Sequence, residues 1–301
     1  MAKTKEISRR IKSVSSTKKI TKAMEMVAAA KMRKAIDAVL KTRTYANLSW
    51  ETVLRLAQLA TASEEATHPL LQARPEIKRV AVVLISSNRG MCGAYNAAVI
   101  AKAEHSLQTH QLPTDFIIIG KKGTILQQRG RNITAEFEKS DILTDAQEIY
   151  PVVKMVLEDY LSGKYDKVLV AYTDFVNPVK QVPRLKQLLP VTIEKTEAYL
   201  GVIGDAAPAP AAEAALEYKF EPSPAVVLDM MVPRLLEVQL YQAFLEANAA
   251  EHSARMTAMH QATDAATDMV AELTLFYNKA RQAGITAEIA EISAGANALA
   301  E

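Results

Sequence analysis

The chain has almost no cysteine: Cys92 is the only one in 301 residues. A lone cysteine excludes an internal disulfide, a two-cysteine redox switch and a cysteine-built zinc site. The five histidines are scattered, without the paired spacing of metal ligands. Long apolar runs are missing as well. Stretches such as Val80–Ile85 are far too short to cross a bilayer. The N-terminus is basic but has no apolar core of a secretory signal, and it flows straight into helical pattern. These absences predict a reducing, cytoplasm-like setting. Neither Gly nor Pro interrupts residues 2–68. One helix can therefore run from about residue 4 to about residue 60, ending before His68-Pro69.

What is present is distributed unevenly. Hydrophobic residues make up 49% and charged residues 23%, ordinary for a chain that builds a core. The net charge of +2 conceals an asymmetry. Residues 1–43 hold 13 Lys or Arg against 3 Asp or Glu, which leaves a balance of −8 on the other 258 residues. A basic segment on an acidic chain expects an anionic partner: nucleic acid, anionic lipid or an acidic protein surface. The plain alternative is a solvated helix face.

Both ends read as long helices. In the first, Ile7, Ile11, Val14, Ile20, Met24, Val27, Met32, Ile36 and Val39 form a stripe at steps of mostly 3 and 4, with Thr17 bridging one gap. In the last, Leu245, Ala249, His252, Met256, Met259, Thr263, Ala266, Val270, Leu273, Tyr277 and Ala280 alternate 4 and 3 throughout. That is a heptad seam, the pattern of a left-handed coiled coil. Ser223 is the expected cap with Pro224 in the first turn, and Pro233 should kink the helix or mark a restart. Some 60 helical residues would span roughly 90 Å. Neither stripe can bury itself. Each is the simplest partner for the other, packed antiparallel; a coiled coil between two copies is the alternative.

The middle differs in kind. Strands are predicted at 79–86, 115–119, 133–137 and 167–172, with helices at about 94–109, 122–129 and 145–161. Such alternation argues for a mostly parallel, doubly wound sheet. Residues 205–215 are a low-complexity Ala/Pro loop, and 216–220 suggest an edge strand. The expected fold is thus α/β: a long antiparallel coiled coil of N- and C-terminal helices plus a Rossmann-like doubly wound α/β domain. The predicted divisions are 1–68, 77–222 and 223–301.

No catalytic constellation emerges. Ser87-Asn88-Arg89-Gly90-Met91-Cys92-Gly93 follows the first strand and opens a helix, where phosphate-binding loops sit in such folds. It is neither G-x-G-x-x-G nor a Walker loop, and no acidic residue ends a second strand at ribose-reading distance. A tight strand-to-helix turn is the simpler reading. Cys92 lacks a partnered base and reads as a packed thiol. His252 on the seam reads as a core or edge histidine, the Met residues as deformable packing, and Glu288 and Glu291 as solvated. The basic N-terminus could bind DNA, but its apolar stripe demands a partner helix and it carries no aromatic residues for base stacking.

Three blocks carry a resemblance to a known family. They are Ile20–Lys34 (ITKAMEMVAAAKMRK), Asn88–Asn96 (NRGMCGAYN), and Ala254–Met259 (ARMTAM) onward to Glu291 and the terminal Gly295–Leu299. In this order and spacing they resemble the gamma subunits of F-type ATP synthases, and the likeness covers essentially the whole chain. The resemblance implies a central rotor stalk that is not itself catalytic and carries no cofactor or metal. It would couple ion-driven rotation of a c ring to conformational change at catalytic beta subunits. Its implied partners are an alpha3–beta3 ring, an epsilon subunit and the c ring, with one copy per complex and no nucleic acid. The implied location is peripheral, on the cytoplasmic face of a bacterial plasma membrane.

By the same resemblance, Met24 lies where the two helices meet a beta subunit, near Arg255, and a lysine there would also add charge near Arg281. Arg281, Gln282 and Thr286 match positions that touch beta loops near the tip. Lys31, Arg33 and Lys34 are candidate partners for acidic beta segments. Glu237, Gln239 and Tyr241 match the foot facing epsilon and the c ring. The sequence departs from the family at Met91, where Leu is usual in what is expected to be a packed turn, at Asp264-Ala265-Ala266, where Asp-Asn-Ala is common, and at Pro233. It lacks the inserted cysteine pair of the redox-regulated chloroplast type. A Rossmann-type oxidoreductase explains only the middle, and a basic coiled-coil nucleic-acid binder explains only the ends.

Overall fold

In the computed structural model the described residues are 2–62, 68–108, 112–142, 145–191, 221 and 224–298. The chain runs α1 (Ala2–Ala62), β1 (Val80–Ile85), α2 (Tyr95–Gln108), β2 (Thr114–Ile119), α3 (Ile125–Gln128), β3 (Asn132–Phe137), α4 (Tyr150–Leu161), β4 (Lys167–Phe175), β5 (Gln181–Leu189) and α5 (Pro224–Ala298). Short 3-10 turns at Lys121–Thr124 and Ala146–Ile149 lead into α3 and α4. Two compact units form: Met1–Val27 with Met256–Glu301, and Ala28–Arg255. The divisions fall inside both long helices.

In the unit Ala28–Arg255 the strand order is β3-β2-β1-β4-β5. β1 pairs parallel with β2 and β4, β2 pairs parallel with β3, and β5 pairs antiparallel with β4. All six residues of β1 are buried, as expected of a central strand covered on both faces. Its alternate side chains enter two cores. Ala81, Val83 and Ile85 pack with Val152 and Val156 of α4, Val39 of α1, and Leu228, Leu236 and Leu245 of α5. Val80, Val82 and Leu84 pack with Val99, Ile100 and Ala103 of α2. The strand β5 is not visible in the sequence pattern because Pro183 interrupts a mixed polar run. Pro183 is tolerated since β5 lies at the sheet edge. The expected strand 216–220, the 205–215 loop and the Ser223 cap lie outside the described residues. α5 runs through Pro233 without a restart.

In the unit Met1–Val27 with Met256–Glu301 the two helices pair antiparallel within one chain. Glu6, Ile7 and Arg10 line a groove with Leu273, Phe276, Lys279 and Ala280. Further along, Thr21 and Thr263 share a buried hydroxyl–hydroxyl hydrogen bond of 2.8 Å, and Glu25 Oε1 meets His260 Nδ1 at 3.3 Å. From Met259 the α5 seam is as expected: Met259, Thr263 and Ala266 are buried, and Val270, Leu273, Tyr277 and Ala280 half-buried between exposed neighbours. Leu245, Ala249 and His252, expected on the same seam, lie instead on a stretch buried on every side in the α/β unit. The α1 seam differs from the hydrophobic stripe. Ile7, Ile11, Val14, Lys18, Thr21 and Glu25, at alternating steps of 4 and 3, are buried or half-buried, and Ser8, Ser15 and Met24 beside them are half-buried too. Thr17 is exposed, and Ile20 and Val27 are 60% and 56% exposed. Polar residues occupy the seam here, so a reading that follows hydrophobicity alone drifts off it.

Candidate interaction surfaces

The turn after β1 stands at the switch point between β1 and β4, where open α/β sheets bind ligands. Here its polar groups serve the protein itself. Ser87 Oγ donates to the Arg89 carbonyl at 2.7 Å, and the Ser87 N–H donates to Asn96 Oδ1 at 3.0 Å. Asn96 Nδ2 donates back to Ser87 Oγ at 2.8 Å, and Asn88 Nδ2 donates to the Lys139 carbonyl at 2.6 Å. Gly93 sits at φ 55° and Met91 at φ 61°, the left-handed region that favours glycine. Met91 is 58% exposed, so the turn is not packed at this position as expected. Its positive φ turns the side chain outwards. Cys92 is buried.

α5 closes over this turn through a buried charge cluster. Lys139 Nζ meets Glu251 Oε2 at 2.6 Å, with side chains 2% and 5% exposed. Arg255 Nη1 meets Glu251 Oε1 at 2.8 Å, and Arg255 Nη2 donates to the Arg89 carbonyl at 3.1 Å. The Lys139 ammonium also lies 5.5 Å from the Tyr95 ring and 5.8 Å from the Phe244 ring, close enough for cation–π attraction. Burial works against the charge on Glu251, but Lys139 and Arg255 offset it and hold the carboxyl below its usual value. Tyr95 Oη donates to the Ala247 carbonyl at 3.2 Å. His252 Nε2 lies 3.0 Å from the Asp141 carbonyl, and burial lowers its pKa. Sequence reasoning missed Lys139 and Glu251, because no local pattern marks two charges 112 residues apart as a pair.

The predicted site residues separate into distinct places. In the helical pair, Met24 is half-buried, while Arg281, Gln282 and Thr286 are exposed. Met24 neighbours the level of His260, so Arg281 lies about 20 residues along the pair, roughly 30 Å away at 1.5 Å per residue. A lysine at position 24 would therefore not approach Arg281 as expected. In the α/β unit, Arg33 and Lys34 are exposed. Lys31 Nζ is engaged by Asp141 Oδ2 at 2.6 Å, and Arg255 is turned onto Glu251. Glu237 pairs with Arg234, Tyr241 is half-buried, and Gln239 is buried at 7% exposure. Solvent-facing apolar side chains were not anticipated. In the helical pair they include Ile20, Met26, Val27, Phe276, Ile289 and Ile292; in the α/β unit they include Leu40, Tyr45, Leu48 and Met230. Exposed apolar side chains mark an interaction surface where they gather on one face.

The fold defines a class: an α/β sheet domain carrying a two-helix coiled coil made from the chain's own ends. A family model described as ATP synthase matches residues 3–299. The ATP synthase gamma chain of Symbiobacterium thermophilum is 45% identical over 298 residues, covering 98% of both chains. That of Roseiflexus castenholzii is 42% identical over 305 residues, covering 100% of both. The chain belongs to the family of ATP synthase gamma chains. Solved structures agree on the fold. A chain of the Euglena gracilis mitochondrial ATP synthase superposes with a TM-score of 0.65 at 18% identity, covering 99% of this chain and 95% of that one. One from the Tetrahymena thermophila mitochondrial ATP synthase central stalk and c ring gives 0.58 at 21% identity, covering 81% and 99%. Among the described residues no helix is long and apolar enough to cross a membrane.

Proposed function

We propose that this protein is the central stalk of a rotary ATP synthase, without catalytic groups of its own. Its helical pair turns inside an alpha3–beta3 ring, and its α/β unit meets an epsilon subunit and a c ring at the cytoplasmic face of a bacterial membrane. Family membership supports the assignment. The observation that carries it furthest is the exposure of Ile20, Met26 and Val27 outside the filled seam of the helical pair, and of Ile289 and Ile292 on the stretch of α5 past the start of α1, where residues 281–294 are all exposed. Those residues do not hold the two helices together, so they are available to an enclosing apolar sleeve.

The mechanism needs only contact. A rotor biases an equilibrium among beta conformations when it touches them differently at each angle. Two unlike helices inside a near-threefold ring supply that difference. Arg33 and Lys34, exposed on the basic segment, fit acidic surfaces on beta. Lys31 is held by Asp141 and suits that role less well.

Co-expression with cognate alpha and beta subunits, followed by native mass measurement and an ATPase assay, tests this. The expected result is one copy of the chain per alpha3–beta3 assembly, with ATPase activity. Ile289→Asp should weaken that assembly at least about tenfold, since an unpaired charge would be buried. A self-contained dimer or a nucleic-acid complex would contradict the proposal.

A further inference from the structure

Glu246 on α5 is 0% exposed and is not explained by apolar packing. From β4, Tyr172 and Asp174 face it; both lie on one side of the strand and are 0% and 3% exposed. From β5, Arg184 Nε meets Asp174 Oδ2 at 2.7 Å, and the Lys186 ammonium also acts on Glu246. On α5 itself Gln242 Nε2 donates to Glu246 Oε1 at 3.4 Å. Gln242 Oε1 in turn accepts from Thr42 Oγ1 of α1 at 2.9 Å. Three buried oxygens in this group have no hydrogen-bond partner: Glu246 Oε2, Asp174 Oδ1 and Tyr172 Oη.

Each carboxyl thus has one oxygen satisfied and one orphaned. Two ionised carboxylates could not face each other here without repulsion. A single proton removes the repulsion and gives the two orphaned carboxyl oxygens a partner; the Tyr172 hydroxyl, the third orphan, stands beside Glu246. A metal ion is the poorer fit, because Arg184 and Lys186 already bring positive charge. No cluster of three or more His, Cys, Asp or Glu able to hold a metal occurs among the described residues.

We propose that Glu246 and Asp174 form a buried proton-binding site, in which one proton sits on Glu246 Oε2 and is donated to Asp174 Oδ1, clamping α5 onto the β4–β5 edge of the sheet. Burial first, and the Asp174 charge second, raise the Glu246 carboxyl to about 8, against the pull of Lys186 and Gln242. The folded value lies above the ordinary 4.5, so the folded state holds a proton that the unfolded chain releases. The stabilisation is complete below about pH 4.5 and is lost as pH rises through about 8.

Infrared difference spectroscopy on the full chain between pH 6 and pH 9.5 reads the proton directly. A protonated-carboxyl band should be present at pH 6, disappear at pH 9.5, and be missing from Glu246→Gln at both. Urea unfolding of the same chains reads the clamp. The unfolding equilibrium constant of the wild type should rise at least about tenfold from pH 6 to pH 9.5, and that of Glu246→Gln less than about threefold. Asp174→Asn provides an independent check: removing the neighbouring charge should lower the midpoint of the carboxyl band by at least about one pH unit. No carboxyl band at pH 6, a band that survives in Glu246→Gln, equal pH responses in both proteins, or an unmoved midpoint in Asp174→Asn would each overturn the site.

Discussion

Lys139 shows how one buried charge can organise a surface. It is 3% exposed, and its ammonium is answered by Glu251 and two aromatic rings. A buried pair contributes little net stability over apolar residues, but breaking it strands a charge. Lys139→Met should cost about 3–5 kcal/mol in urea unfolding, whereas Lys139→Met with Glu251→Leu should recover most of the loss. A double variant as unstable as the single one would show that the ion pair itself is the stabilising element. The pH signature follows from Glu251, whose folded value is lowered. Its contribution is present above the ordinary value of 4.5 and is lost as pH falls through the folded value. Glu246 acts in the opposite sense, its contribution fading as pH rises. Neither role could be read from the chain, because burial and distant partners set both.

Seam and surface separate cleanly along α1. Val39 is fully buried in the core beneath the sheet, and Ile20 is 60% exposed. Val39→Ala should cost about 2 kcal/mol from lost apolar burial and the cavity left behind. Ile20→Ala should change the stability of the chain by less than about 0.5 kcal/mol. Chemical denaturation of both variants checks the contrast, and equal losses would place Ile20 in the seam after all. The sequence pattern ranks the two alike, since hydrophobicity does not say which partner a residue meets. Where partner and pattern coincide, the elements were legible: β1, β2 and β4 as apolar runs, α2 behind its turn, and the α5 seam from Met259 to Ala280. Where they diverge, they were not. β5 hides behind Pro183, and the α1 seam passes through Lys18, Thr21 and Glu25. Exposed apolar residues such as Ile289 are visible as letters, but their exposure is a property of the fold.

For the whole molecule, the family's motifs mark out structural joints. The Asn88–Asn96 block builds a turn whose carbonyls are capped by Arg255, so a crevice that serves ligands in other α/β sheets here seats a helix. The apolar side chains left outside the helical pair are what an enclosing ring would need. A rotor must move against that ring. Cys92 is only 1% exposed and offers no handle, but Val179, in the turn between β4 and β5, is 92% exposed. A probe attached through Val179→Cys in the assembled complex, with the alpha3–beta3 ring immobilised and ATP supplied, reports that movement directly. The prediction is one-way rotation of the probe in step with ATP hydrolysis. Hydrolysis at the normal rate with the probe fixed relative to the ring would contradict the proposed rotor.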